Sequence, residues 1–215
     1  MDVVALTVGP VAENCYLVRR DASADRALLI DPGDEPDRLI AAVDASGAMV
    51  EAILLTHAHF DHVGAVAPLA RHTGAPVYCP RGEAFVLLDI MAFVPWPGFG
   101  PFENWKADVE LDGGERLELA GFEIDVISTP GHSPAHVTYS IPAEGAILSG
   151  DVLFEQSIGR TDLPGADTAT LMASIADLLD RLPDETRVLP GHMGPTTLGR
   201  ERATNPFLRE LAANG

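Results

Sequence analysis

Cysteine is scarce in this chain. Its two residues, Cys15 and Cys79, lie far apart and form no Cys-x-x-Cys pair, which argues against a disulfide framework. Cys15 falls in the strand-like run Asn14-Cys15-Tyr16-Leu17-Val18 and reads as a buried, inert thiol. Positive charge is scarce too. The 14 Lys and Arg residues stand against 32 Asp and Glu, for a net charge of −18. That balance speaks against a nucleic-acid partner, because such surfaces neutralise phosphates with Lys and Arg. Small anionic ligands stay open, since a bound cation can dominate the field inside a cleft. No apolar run is long enough to span a membrane. The start, Met1-Asp2-Val3-Val4, lacks the basic region and cleavage site of a signal peptide. The expected location is the cytoplasm, with no membrane partner. Short-period repeats and low-complexity tracts are absent, as is any stretch resembling a linker. What remains is 215 residues with 47% hydrophobic content, read as one globular domain over residues 1–215.

Strand and helix signals alternate in the first half. Val3 to Val8, Tyr16 to Arg19 and Ala27 to Ile30 read as strands, the last ending at the turn Asp31-Pro32-Gly33. Pro36 to Ser46 has helical spacing, with Leu39, Ile40 and Val43 on one face. Ile53 to Thr56 reads as a short buried strand, Val63 to His72 as a helix, and Val77 to Cys79 as a strand. The second half opens with strands at Glu115 to Leu119, Phe122 to Ser128, Val137 to Ile141 and Ala146 to Ser149. A helix over Thr168 to Leu182 and a strand over Thr186 to Leu189 follow. Pro206 is placed to begin a closing helix. A weak echo relates Ile124 to Thr129 and Arg187 to Leu189, each ending in Pro-Gly-His, as though each half presented one loop to a shared edge.

Residues 80–107 differ. Phe85, Phe93, Trp96, Phe99, Phe102 and Trp105 are six of the 13 aromatics, interleaved with Pro95, Pro97 and Pro101, which forbid a long helix. The segment reads either as a substrate wall or as a compact surface loop pinned by its own rings.

The most informative stretch is His57-Ala58-His59-Phe60-Asp61-His62, directly after the apolar run Ile53-Leu54-Leu55-Thr56. Imidazole and carboxylate suit zinc, iron and related divalent metals. His57 and His59 are two apart, so an extended segment points both to one side. On a helix they would lie about 200° apart and could not share an ion. Asp61 and His62 begin the following helix and can face a second ion. His132 and His192, each in Pro-Gly-His, and Asp151, in Ser149-Gly150-Asp151, also follow apolar strands. Glycine before each of them allows a tight turn and close approach. Five of the chain's seven histidines fall in these motifs.

Thr56-His57-Ala58-His59-Phe60-Asp61-His62 resembles the signature of the metallo-β-lactamase superfamily. The whole chain resembles its glyoxalase II-like (hydroxyacylglutathione hydrolase-like) branch of small hydrolases. Asn14-Cys15-Tyr16-Leu17-Val18, Ile30-Asp31-Pro32-Gly33, Thr129-Pro130-Gly131-His132-Ser133-Pro134-Ala135-His136, Leu148-Ser149-Gly150-Asp151, Gly159-Arg160-Thr161-Asp162-Leu163-Pro164 and Pro190-Gly191-His192 carry it, in order. The resemblance implies an α/β fold, a four-layer αββα sandwich with metals at one edge between two mixed sheets. It implies one ion held by His57, His59 and His132, a second held by Asp61, His62 and His192, and Asp151 bridging them. Zinc is the expected ion, with iron or manganese also suited. The C-terminus departs from two-domain relatives, whose extra helical domain supplies basic residues for glutathione. Only 23 residues follow His192, with Arg200, Arg202 and Arg209 as their only cations. Ala135 stands where relatives often have glycine.

The activity so implied is metal-dependent hydrolysis of a small-molecule thioester such as S-D-lactoylglutathione. A water between two cations ionises near neutral pH and attacks the carbonyl, and Asp61 and Asp151 are the expected catalytic carboxylates. His136 reads as structural, His72 as a solvated helix end, and Arg160 with Asp162 as a turn-fixing ion pair. Rival readings are an iron-dependent persulfide dioxygenase, a lactonase or β-lactamase of the same fold, and a non-catalytic or RNA-processing module. Monomer and homo-oligomer are both open.

Overall fold

The computed structural model of the protein describes residues 1–209. Its first sheet contains β1 (Asp2–Val8), β2 (Glu13–Arg19), β3 (Arg26–Ile30), β4 (Met49–Leu54), β5 (Val77–Pro80) and β6 (Val109–Leu111), side by side in that order. β1, β2 and β3 run antiparallel, whereas β3 to β6 run parallel. Parallel neighbours need crossovers. Helix α1 (Pro36–Ser46) links β3 to β4, and the short α2 (Phe60–Val63) with α3 (Val66–Thr73) links β4 to β5.

The second sheet begins as an antiparallel meander of β7 (Arg116–Leu119), β8 (Phe122–Ser128), β9 (Val137–Ile141) and β10 (Ala146–Gly150). A small hairpin follows, β11 (Leu153–Phe154) with β12 (Ser157–Ile158). Helix α4 (Thr168–Arg181) leads to β13 (Arg187–Pro190), parallel to β10, and then β14 (Thr196–Thr197) and α5 (Leu198–Thr204).

The two-residue period of a strand sorts side chains into layers. On β2 and β3, Tyr16, Val18, Leu28 and Ile30 face the second sheet, where Ile124, Val126, Tyr139 and Leu148 meet them. Their alternates Cys15, Leu17, Ala27 and Leu29 face outward onto Leu39 and Val43 of α1 and Val66 and Leu69 of α3. On the opposite side, Ile147 of β10 and Val188 of β13 pack on Leu171, Ile175 and Leu178 of α4. The order is helix, sheet, sheet, helix. Asp167 caps α4 by accepting the Thr170 N–H at 2.7 Å, which satisfies a donor the helix itself cannot. Burying each large α4 side chain contributes roughly 1.5–3 kcal/mol.

Several elements depart from their sequence reading. The helix expected over Val63 to His72 is two helices, broken at Gly64-Ala65. A Cβ on Gly64 would lie 2.4 Å from the Gly33 carbonyl oxygen and 2.6 Å from the Phe102 ring, so this turn is packed too closely for a side chain. β2 begins at Glu13, three residues before the apolar run suggests, because its polar first residues are themselves buried. α5 was not anticipated. Residues 206–208 form a turn, and the rest of the helix expected from Pro206 falls mainly on residues outside the described ones. The two Pro-Gly-His loops do not come from two halves; both leave the second sheet, after β8 and β13. Among the described residues no helix is long and apolar enough to cross a membrane.

Candidate metal centre

Strand direction brings the site together. β3 and β4 are parallel, so Asp31 and the segment from Leu55 to His59 leave the first sheet at one edge. β8, β10 and β13 share a direction, because β9 is antiparallel to its two neighbours. His132, Asp151 and His192 therefore emerge together, with Asp151 following β10 between the other two strands. His59 has extended backbone (φ −66°, ψ 147°) immediately before α2, which sends His57 and His59 one way and Asp61 and His62 along the helix.

All seven singled-out side chains meet at this edge. His57 Nε2 lies 3.1 Å from His59 Nδ1, which lies 2.9 Å from His132 Nε2. His192 Nε2 is 3.3 Å from Asp61 Oδ2, and His62 Nε2 is 4.0 Å from that same oxygen. Asp151 spans the two groups. Its Oδ1 is 3.4 Å from His62 Nε2, and its Oδ2 is 3.4 Å from His132 Nε2 and 3.5 Å from His192 Nε2.

The opposite ring nitrogens are tied down. His62 Nδ1–H donates to Asp31 Oδ2 at 3.0 Å, His132 Nδ1–H to the Arg160 carbonyl at 2.8 Å, and His192 Nδ1–H to the Ala12 carbonyl at 3.3 Å. Thr56 gives its hydroxyl proton to Asp31 at 2.7 Å, so its oxygen accepts from His57 Nδ1–H at 3.0 Å. Each of these rings thus presents an Nε2 lone pair to the centre, the arrangement that fixes tautomer and orientation in metal sites.

Electrostatics agree with that use. Burial, then the surrounding imidazoles, keep His57 well below the ordinary histidine range. Burial and His132 lower His59 to about 4. Burial pushes Asp151 and Asp61 upward, but the nearby imidazoles outweigh it and both stay ionised. Neutral imidazole and carboxylate are the forms that ligate cations. Burial opposes a charge on His62, yet Asp151 and Asp31 raise it well above the usual value, so a cation there competes with a proton.

The donor set fits divalent cations. His62 Nε2 and Asp151 Oδ1 are buried, face each other, and have no hydrogen-bond partner; leaving such atoms unmet costs about 1–3 kcal/mol each. His57, His59 and His132 form one group able to hold an ion, and Asp61, His62 and His192 another.

Other residues of the site escape a sequence reading. Glu83 is buried, and its carboxylate accepts the Ala58 N–H at 2.7 Å, the Ala135 N–H at 3.0 Å, and the Ser133 hydroxyl. It fastens the His57–His59 loop to the His132 loop. His136 Nε2 accepts the Asp151 N–H at 3.1 Å, which keeps it beside the centre without facing it. Glu13 is fully buried with both carboxylate oxygens unpartnered, and burial pushes it well above the carboxylate range. Asp31 was visible only as part of a turn. Arg160 and Asp162 form the expected pair, at 2.7 and 2.8 Å.

The centre opens into a cavity of about 850 Å³. Residues 85–96 supply one part of its lining, including Phe85, Phe93 and Trp96. Phe99 and Phe102 of the same segment instead pack on Phe60 beneath. The stretch 80–107 is therefore both cavity wall and self-pinned loop.

Comparison with known proteins agrees with this geometry. The metallo-β-lactamase superfamily pattern matches residues 8–192, and the chain belongs to that family. It is a metallo-hydrolase of a fold that binds divalent metals. The chain is 34% identical to the hydroxyacylglutathione hydrolase GloC of Haemophilus influenzae, covering 97% of this chain and 98% of that one. The structure of the BLEG-1 B3 metallo-β-lactamase superposes with a TM-score of 0.90 at 39% identity, over 96% of this chain and 99% of its own. TTHA1623, in a di-iron-bound form, superposes with a TM-score of 0.84 at 47% identity, over 96% and 100%.

Proposed function

We propose that the protein hydrolyses a small-molecule thioester, in the manner of a glyoxalase II. His57, His59 and His132 would hold one divalent cation and Asp61, His62 and His192 a second, with the Asp151 carboxylate placed between the two groups. The observation that carries this reading is the position of Asp151, with one oxygen toward His62 and the other toward His132 and His192. Cations bound there would supply a water that ionises near neutral pH and a Lewis acid for the carbonyl oxygen.

The chain's own residues do the rest. The Nδ1–H bonds of His57, His62, His132 and His192 aim the rings and hold them through turnover. Asp61, at the cavity wall and kept ionised by His192 and His62, accepts a hydrogen bond from the attacking water and orients it. Phe93 and Trp96 give the cavity an apolar wall. The departing thiol has an ordinary pKa of about 8.5, so it leaves as thiolate without a dedicated proton donor.

The 34% identity to GloC supports the thioester reading. Two observations bear on the rival readings: the di-iron-bound form of TTHA1623 favours iron as a metal for this site, and the likeness to BLEG-1 supports β-lactam hydrolysis. One experiment separates them. Protein of measured metal content is given S-D-lactoylglutathione, other thioesters, glutathione persulfide with oxygen uptake followed, and a chromogenic β-lactam. Thioester turnover that is lost on chelation and restored by zinc, manganese or iron is expected. Fully metallated protein inactive on every thioester removes the proposal.

A further inference from the structure

The cavity that opens on the metal centre carries information about the body of the substrate. Away from the metal centre, most of its apolar lining comes from two separate segments. One is residues 85–96; the other is residues 154–165, with Phe154, Ile158, Leu163 and Pro164, joined by Met193. Charge is almost absent away from the centre. Its carboxylates belong to the centre itself (Asp61 and Asp151) or to the clamp between the two loops (Glu83), and Arg160 is the one Lys or Arg in the lining. Arg160 is already engaged. Its guanidinium makes the paired contact with Asp162 and lies 5.5 Å from the centroid of the Trp96 ring.

Other arginines are held in ion pairs, Arg81 among them with Glu110 and Asp112. Arg200 pairs with Glu155 at 2.7 Å and Arg202 with Asp184 at 3.0 Å. The chain's single lysine, Lys106, lines a different hollow beside Leu88 and Trp105. Glutathione carries two free carboxylates and one ammonium, and a carboxylate buried in this cavity away from the metal centre would lose its water without gaining a free Lys or Arg. The net charge of −18 adds a repulsive background. An uncharged apolar chain faces no such cost. It would cover Phe85, Phe93, Trp96 and Met193, which are large apolar side chains exposed at 41–56%, and exposed apolar clusters of this kind mark binding surfaces.

Taking the thioester reading above as its starting point, we infer that the ligand class of this cavity is an acyl thioester whose acyl and carrier portions are uncharged and largely apolar, not a glutathione conjugate. Phe93 and Trp96 are the residues that set this preference.

The test uses metal-loaded protein and two series of non-hydrolysable thioethers, S-alkyl-N-acetylcysteamine and S-alkylglutathione, each from ethyl to octyl. Binding is measured by calorimetry. In the uncharged series affinity is expected to rise about fourfold per methylene until the cavity fills. Each glutathione member binds more weakly than its uncharged counterpart. The F93A/W96A double variant loses about tenfold in affinity for the octyl ligand and little for the ethyl one. Affinity independent of chain length, tighter binding of the glutathione series, or a double variant that behaves as wild type overturns the inference. Turnover of the matching thioesters is followed separately. Length-dependent binding with no hydrolysis of any thioester removes the hydrolase reading and supports the ligand class. Hydrolysis of both series without discrimination supports the reaction and overturns the ligand class.

Discussion

The carboxylate of Asp31 accepts the Nδ1–H of His62 at 3.0 Å. The same carboxylate takes the Thr56 N–H at 2.8 Å and the Thr56 hydroxyl at 2.7 Å, and Thr56 in turn orients His57. One buried side chain therefore aims a ring in each of the two ligand groups. Asp31→Ala is expected to weaken metal binding by about 10–100-fold, at both positions. Competition against a fluorescent chelator measures it. Affinities equal to wild type at both positions would deny Asp31 this role.

Glu83 joins two loops that are far apart in sequence. Replacing it with alanine strands the Ala58 and Ala135 N–H groups and the Ser133 hydroxyl in a buried place. Unmet buried donors cost about 1–3 kcal/mol each, so Glu83→Ala is expected to lower stability by roughly 2–5 kcal/mol. Urea unfolding of the chelated protein reads this directly, without the contribution of metal binding. Glu83→Gln keeps an acceptor oxygen and is expected to lose about half as much. Equal unfolding midpoints for wild type and Glu83→Ala would show that the clamp holds nothing.

These two residues also show where a sequence reading stops. His57 and His59 were legible because their relation is local, two positions in an extended segment. His132, Asp151 and His192 were legible because each follows an apolar strand through a glycine. The alternation that sends Leu28 and Ile30 inward and Ala27 and Leu29 outward is local as well, and the layers follow from it. Glu83 acts on Ser133 across 50 positions, and Asp31 on His62 across 31. No periodicity encodes such contacts, since they exist only once the sheets have paired. α5 was hidden for another reason: Gly199 and its short length make Leu198–Thr204 a poor helix in isolation. Its capping by Thr197, which accepts the Arg200 N–H at 3.2 Å, was the available signal. The start of β2 was hidden because Glu13 and Asn14, two polar residues, are buried in it.

His136 gives the chelated protein an acid-sensitive element. Burial, then His132, hold the ring well below the ordinary range, and its neutral Nε2 accepts the Asp151 N–H. In the unfolded chain the same ring titrates at about 6.5. Below that pH the unfolded state binds the extra proton, so the stability His136 contributes is complete above it and declines as pH falls. His62 responds in the opposite sense. Its carboxylate neighbours raise it against burial, so its contribution is full below about 6.5 and is lost as pH rises through the raised value. His136→Gln separates the two, because its amide oxygen reaches the Nε2 position, still accepts the Asp151 N–H and does not titrate. Urea midpoints of chelated protein between pH 5 and 6.5, a window set by the ordinary histidine value of about 6.5, are expected to fall less steeply in His136→Gln than in wild type. Parallel slopes would place the acid sensitivity elsewhere.

Gly191 packs against both Asp151 and His62. A Cβ built there would sit 2.3 Å from Asp151 Oδ1 and 2.6 Å from His62 Cε1. Both neighbours are buried, and neither is the free end of a long chain. The Gly191 N–H and carbonyl are themselves bonded, to the Gly150 carbonyl at 2.8 Å and from the Asn14 N–H at 2.7 Å, so the backbone cannot swing away cheaply. Gly191→Ala must therefore displace the carboxylate or the ring. A displacement of about 1 Å in a reacting geometry costs on the order of 100-fold in rate, and the ion held by His62 should be lost before the one held by His57. Gly194→Ala is the control, because its added methyl meets only Glu155 Oε2 at an ordinary 3.5 Å. Metal stoichiometry and turnover are measured on both variants, with circular dichroism to confirm folding. A folded Gly191→Ala protein with wild-type metal content and rate would show that Asp151 and His62 do not need the spacing seen here.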